Sequence, residues 1–98
     1  MTAADRIQLR HPDGKRAPSI PSDHYALVRR LVRDAVPAAG PGITWVDLRG
    51  AVNRKLGRRL GGANNWWSIH AVKLHLESIG EIRRISESPQ RLVRGTRR

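Results

Sequence analysis

Asn64-Asn65-Trp66-Trp67-Ser68-Ile69-His70-Ala71-Val72-Lys73-Leu74-His75-Leu76-Glu77-Ser78-Ile79-Gly80, running on into Glu81-Ile82-Arg83-Arg84-Ile85, is the stretch on which the fold turns. Ile69, Val72, Leu76 and Ile79 recur at the spacing of one helix face. Asn64 or Asn65 can cap that helix with a side-chain oxygen, and Gly80 is suited to close it. After Gly80 the period changes. Ile82 and Ile85 flank Arg83-Arg84, Ser86-Glu87-Ser88-Pro89-Gln90 reads as a turn, and Arg91-Leu92-Val93-Arg94 as a return strand, so a hairpin of two short strands is expected.

Upstream, Thr44-Trp45-Val46-Asp47 has the form of a capping box with Asp in place of Glu or Gln. Trp45, Leu48, Val52 and Leu56 then line one face of a second helix that Gly57 can end. Residues 58–63, with Arg58-Arg59 and Gly61-Gly62, read as a loop. A first helix follows Pro21, capped by Ser22 or Asp23. Tyr25, Val28, Leu31, Val32, Ala35 and Val36 lie on its core side, and Arg29, Arg30 and Arg33 on the other. Residues 1–21 hold a His11-Pro12-Asp13-Gly14 turn signal, Pro18 and Pro21, with no apolar periodicity, and read as a flexible arm that Ile7, Leu9 and Ile20, its only large aliphatics, can lay over the domain. The expected organisation is thus an arm over 1–21, one domain over 22–94 and a basic tail over 95–98. The expected fold class is mainly α with a small β-hairpin, in the element order of a three-helix winged helix-turn-helix.

The chain has 98 residues and a formal charge of +11, from 16 Arg and 3 Lys against 8 acidic residues. That length suits one small domain, and 39% apolar residues suffice for a modest core. The charge favours a polyanionic partner. Absence of Cys excludes disulfides, thiolate catalysis and Cys-ligated metal. No apolar run approaches the roughly 20 residues of a membrane helix. The first residues lack the apolar core of a secretory signal, so a cytoplasmic protein is expected, nucleoid-associated if it binds DNA.

The run Trp66-Trp67 through Val72, Leu74, Leu76-Glu77 and Gly80, written W-W-x-x-x-x-V-x-L-x-L-E-x-x-G, resembles the third helix of a group of small bacterial winged-helix proteins without assigned function. Pro41-Gly42-Ile43-Thr44 ahead of the second helix is similar to that group too, and the resemblance spans residues 22–94. It implies a winged-helix fold. It also implies nucleic-acid binding by the third helix and the wing, since such domains commonly bind DNA, while others bind RNA or only proteins.

On a helical wheel the third helix turns Trp67, His70, Ala71, Leu74, His75 and Ser78 away from its core stripe, with Lys73 its one cation. Base readout usually needs Arg, Lys, Asn or Gln in the groove. Here Asn64, Asn65, Ser68 and His75 are the candidates, so little sequence discrimination is expected. The cations form two flanking groups: Arg54, Lys55, Arg58 and Arg59 around the second turn, and Arg83, Arg84, Arg91 and Arg94 on the hairpin. Both suit phosphate contacts, which position a protein without reading sequence. The expectation is a nucleic-acid-binding protein, with duplex DNA gripped through its backbone and transcriptional regulation as one use. Trp67 and Leu74, seven residues apart, offer a partner surface, a dimer contact or a stacking platform for an unpaired base. A protein-interaction module and an RNA-binding domain therefore stand as alternatives. Trp45 and Trp66 are expected in the core. His70 and His75 do not converge on a metal, and no nucleophile–base pair is recognisable. No enzyme activity, cofactor, metal or small-molecule substrate is expected.

Overall fold

Three helices occupy the segments marked by hydrophobic periodicity: α1 Ser22–Ala35, α2 Trp45–Leu56 and α3 Asn65–Ser78, in a computed structural model that describes residues 5–62 and 64–95. Five strands accompany them among the described residues: β1 Arg6–Gln8, β2 Ser19–Pro21, β3 Ile43–Thr44, β4 Ile82–Glu87 and β5 Gln90–Arg94. β1 and β2 form an antiparallel ribbon, and β3 joins the expected hairpin in a three-stranded sheet of order β3-β5-β4. This corrects the expected class. The fold is α+β with two sheets, not a mainly α, three-helix winged helix-turn-helix with a single hairpin. The extra strands are two or three residues long, too short for a period-2 pattern to register.

The segment read as an arm is paired and packed over its described residues. From Arg6 onward it pairs with itself, Ile7 opposite Ile20, and the ribbon puts Leu9 and Ile20 into the main core, each 2% exposed. Pro18 and Pro21 read as breakers, yet a strand lacking a second neighbour tolerates proline. Pro18 contributes its carbonyl instead, accepting from the Leu9 amide at 3.0 Å. Of the expected basic tail, residues 96–98 lie outside the described residues.

Local chemistry accounts for the helix ends. Thr44 Oγ1 accepts from the Asp47 amide, and Asn64 Oδ1 from the Trp67 amide, each occupying an orphan donor of a first turn. α1 differs from expectation: Pro21 stands at its N-cap with no side-chain bond, and the Ser22 amide donates to the Asp5 carbonyl across the ribbon. Gly42 turns the chain into β3 at φ +77°, and a Cβ there would sit 2.7 Å from the Leu92 carbonyl oxygen, so the approach of β3 to β5 needs glycine.

The helices meet over Val28, Val32, Leu48, Val52, Ile69 and Val72, with Ile82 and Leu92 closing the core from the sheet. Two carboxylates lock the polar rim. Glu81, 6% exposed, takes both nitrogens of an Arg29 fork at 2.8 and 3.0 Å and lies 3.5 Å from Arg33. Glu77 pairs with Lys73 and Arg84, each at 2.7 Å. Lys73 is itself fully buried, and burial pulls its ammonium below its usual range while the Glu77 hydrogen bond opposes that shift. Among the described residues no helix is long and apolar enough to cross a membrane.

Candidate nucleic-acid interface

The outward face of α3 carries Trp66, Trp67, His70, Ala71 and Leu74, and something stands on each side of it. On one side is α2, which brings Trp45 and Arg49 against Trp66 and His70. On the other is the β1–β2 loop, which sets Arg10, His11, Lys15 and Arg16 beside Trp67 and Leu74. The loop is fixed by its own bonds. The Arg10 amide donates to His75 Nδ1 at 2.9 Å, the Gly14 amide to the His11 carbonyl at 3.0 Å, and Gln8 Nε2 to the Ala17 carbonyl at 2.8 Å.

Within this face the three indoles are not equivalent. Trp45 lies 5.7 Å from the His70 ring, with Lys73 Nζ at 5.2 Å and the Arg49 guanidinium at 5.9 Å from its centroid. The same guanidinium is 5.5 Å from the Trp66 centroid, so Arg49 sits against two indoles at once. Trp67 alone of the three has no ring or cation partner among the described residues. Both Trp66 and Trp67 are 49% exposed, which corrects the expectation that Trp66 belongs to the core. Partial desolvation, reinforced by Lys73 and opposed by Glu77, holds the His70 imidazole below its ordinary value of 6.5.

Several expected contact residues are elsewhere. Ser68 and His75 are corrected outright: they are 2% and 7% exposed and cannot meet a groove. At 100° per residue Ser68 falls beside Ile69 and Val72 on the packed side, and His75 is covered by the ribbon and by Tyr25, whose ring meets it edge-on at 5.4 Å. Asn65 Nδ2 donates to Asn53 Oδ1 and the Gly57 carbonyl, which ties it to α2, while Asn64 remains exposed as the cap.

The hairpin does not present four cations together. Arg84 opposes Leu92 on the helix-facing side and is engaged with Glu77 and Glu87. Arg94 shares that side, and its Nε donates to the Arg33 and Val36 carbonyls at the end of α1. Arg83 alternates to the opposite face of the sheet and is exposed there, and Arg91 is half-buried on β5. The expectation that these four form one grip is therefore corrected. The other group stands free: Arg54, Lys55, Arg58 and Arg59 are all exposed and make no ion pair among the described residues. Leu74 is half-buried in the cleft with Trp67.

The sequence reading missed Arg10, Lys15, Arg16, Arg49, Trp66 and His70. The i, i+4 spacing of Trp66 and His70 was available as a signal, and so was the basic cluster around His11. Neither could show that a three-residue ribbon docks the cluster onto α3. Among the described residues no group of three His, Cys, Asp or Glu could hold a metal ion.

A family of unknown function (DUF6958) matches residues 6–92, and the chain belongs to it. No curated protein and no solved structure matches the chain. The matched segment begins at β1, so it includes the ribbon along with the helices and most of the hairpin.

Proposed function

We propose that this member of the family binds nucleic acid, chiefly through phosphate contacts that do not depend on sequence. The observation that carries the reading is the distribution of charge. Glu77 and Glu81, the carboxylates closest to the core, engage Arg29, Arg33, Lys73 and Arg84. Arg54, Lys55, Arg58 and Arg59 are left clustered at the α2–α3 turn, exposed and unpaired among the described residues. Arg10, Lys15 and Arg16 stand exposed along the same α3 face. Like charges gathered without counter-charges favour the compact state less than a dispersed arrangement does, and a polyanion relieves that repulsion.

The α3 face offers almost nothing that reads a base edge, because Ser68 and His75 are buried and Asn65 is engaged. The partner's backbone is thus the main determinant of affinity. Duplex DNA is the partner expected from the sequence, and regulation of transcription is one use such binding serves. The test is the double variant R58A/R59A, assayed by fluorescence anisotropy on several unrelated duplexes. It weakens binding to all of them alike and makes the log–log salt dependence shallower by about 1.8, at roughly 0.9 per phosphate contact. Loss confined to one duplex, or an unchanged salt slope, contradicts the reading.

A further inference from the structure

We infer that the groove over α3 takes single-stranded nucleic acid, with an unpaired base stacked on Trp67 and phosphates held by the cations of the two walls. The inference rests on the nucleic-acid reading above and names its substrate class. Three observations point the same way. First, Trp67 is half-exposed and has no ring or cation partner among the described residues, whereas Trp45 and Trp66 already meet Arg49. A large aromatic left open to water beside an apolar neighbour, Leu74, has something to gain from a flat ligand.

Second, the backbone on both sides of the platform is anchored. The Trp67 amide is held by the Asn64 cap at 3.0 Å, and the facing loop is anchored to α3 through the Arg10–His75 bond. Third, the walls are cationic on both sides, Arg49 from α2 and Arg10, Lys15 and Arg16 from the β1–β2 loop. Two clefts of ≈ 340 Å³ each share Trp67 and His70 in their linings, so these two side chains stand where the clefts meet. Volumes of that order lie within the range of small-ligand sites, roughly 300–1,000 Å³. An aromatic floor between basic walls is the arrangement by which single strands are held with little sequence preference, because every base has a π-face. A duplex keeps its bases stacked on one another and cannot offer one to Trp67 without unpairing it.

The experiment uses the full chain with four fluorescein-labelled probes of 12 nucleotides: oligothymidylate, oligouridylate, a mixed-sequence single strand and its duplex. Anisotropy gives the affinity at about 50–200 mM salt. The single strands bind about 10-fold or more tighter than the duplex, and binding quenches tryptophan fluorescence. Trp67→Ala weakens the single strands by about 5- to 100-fold, the range of one lost base–aromatic stack, and leaves the duplex affinity and the salt slope unchanged. Trp67→Phe retains most of the affinity. The oligothymidylate and oligouridylate arms separate DNA from RNA as the source of the strand.

Equal affinity for single strand and duplex, with Trp67→Ala inert, overturns this inference while leaving phosphate binding intact. The same result is expected if the face docks a protein instead. Absence of binding to every probe at low salt overturns the nucleic-acid reading and this inference together. Thermal unfolding of each variant excludes misfolding as the source of any loss.

Discussion

His75 shows how one residue type carries two opposite readings. Read among the outward residues of the α3 wheel it suggests a groove-facing polar group, although at 100° per residue it stands only about 40° from Ile79, at the edge of the core stripe. In the fold the ribbon covers it, and its Nδ1 becomes the acceptor for the Arg10 amide. That bond requires an unprotonated Nδ1, and burial together with the Arg10 charge lowers the pKa from its ordinary 6.5, against a smaller opposing pull from Glu81. Because the folded-state pKa is the lower one, the unfolded chain binds more protons in the interval between the two values. Stability therefore falls as pH drops from about 6.5 towards the folded-state value, with a slope of at most about 1.4 kcal/mol per pH unit for this histidine. Below that value the loss levels off. His70 adds a shift of the same sign, since its pKa is lowered as well. Urea unfolding between pH 7.5 and 5 tests the point, as His75→Gln removes part of the pH dependence that the native chain shows. An unchanged profile in the variant rules out His75 as a source. Lys73 was legible as the lone cation of α3 near the core edge, but its complete burial depends on Glu77 and Trp45 closing over it from two elements.

Among the elements, those with a long period and a cap were readable, and the short ones were not. α2 and α3 begin at the Thr44 and Asn64 caps, where a polar side chain precedes an apolar stripe. β1, β2 and β3 have three, three and two residues, and no alternation can be recognised over so few positions. Their existence is a tertiary matter: Ile20 and Leu9 find a place on the core, and Gly42 lets Ile43 lie against Leu92. The same limit hid the candidate site, because the basic loop reaches α3 only if the ribbon forms. Ile20→Ala distinguishes a structural ribbon from a loose arm. With Ile20 2% exposed, the substitution costs about 2–5 kcal/mol of unfolding free energy in chemical denaturation. A change within about 0.5 kcal/mol, as for an exposed position, contradicts the docked ribbon.

For the whole molecule, charge is the property the sequence stated most plainly and the fold sorted most sharply. Of the 19 cations, Arg29, Arg33, Lys73 and Arg84 pair with Glu77 and Glu81 near the core, while exposed cations gather at the α2–α3 turn and along the α3 face. The sequence showed how many cations there are but not which of them face one another, so Arg84 and Arg94 looked equivalent to Arg83 until the strand register divided them between two faces. The described body measures 41 × 29 × 22 Å, so its longest dimension spans at most about 12 base pairs at 3.4 Å each. The most direct test of the central claim is the affinity of the full chain for mixed-sequence duplex DNA as a function of salt, from about 50 to 200 mM. Phosphate binding by the exposed cations predicts measurable association at the low end and a log–log slope of about −4 to −6, equivalent to roughly five to seven neutralised phosphates. No association at about 50 mM salt, or an affinity indifferent to salt, contradicts it.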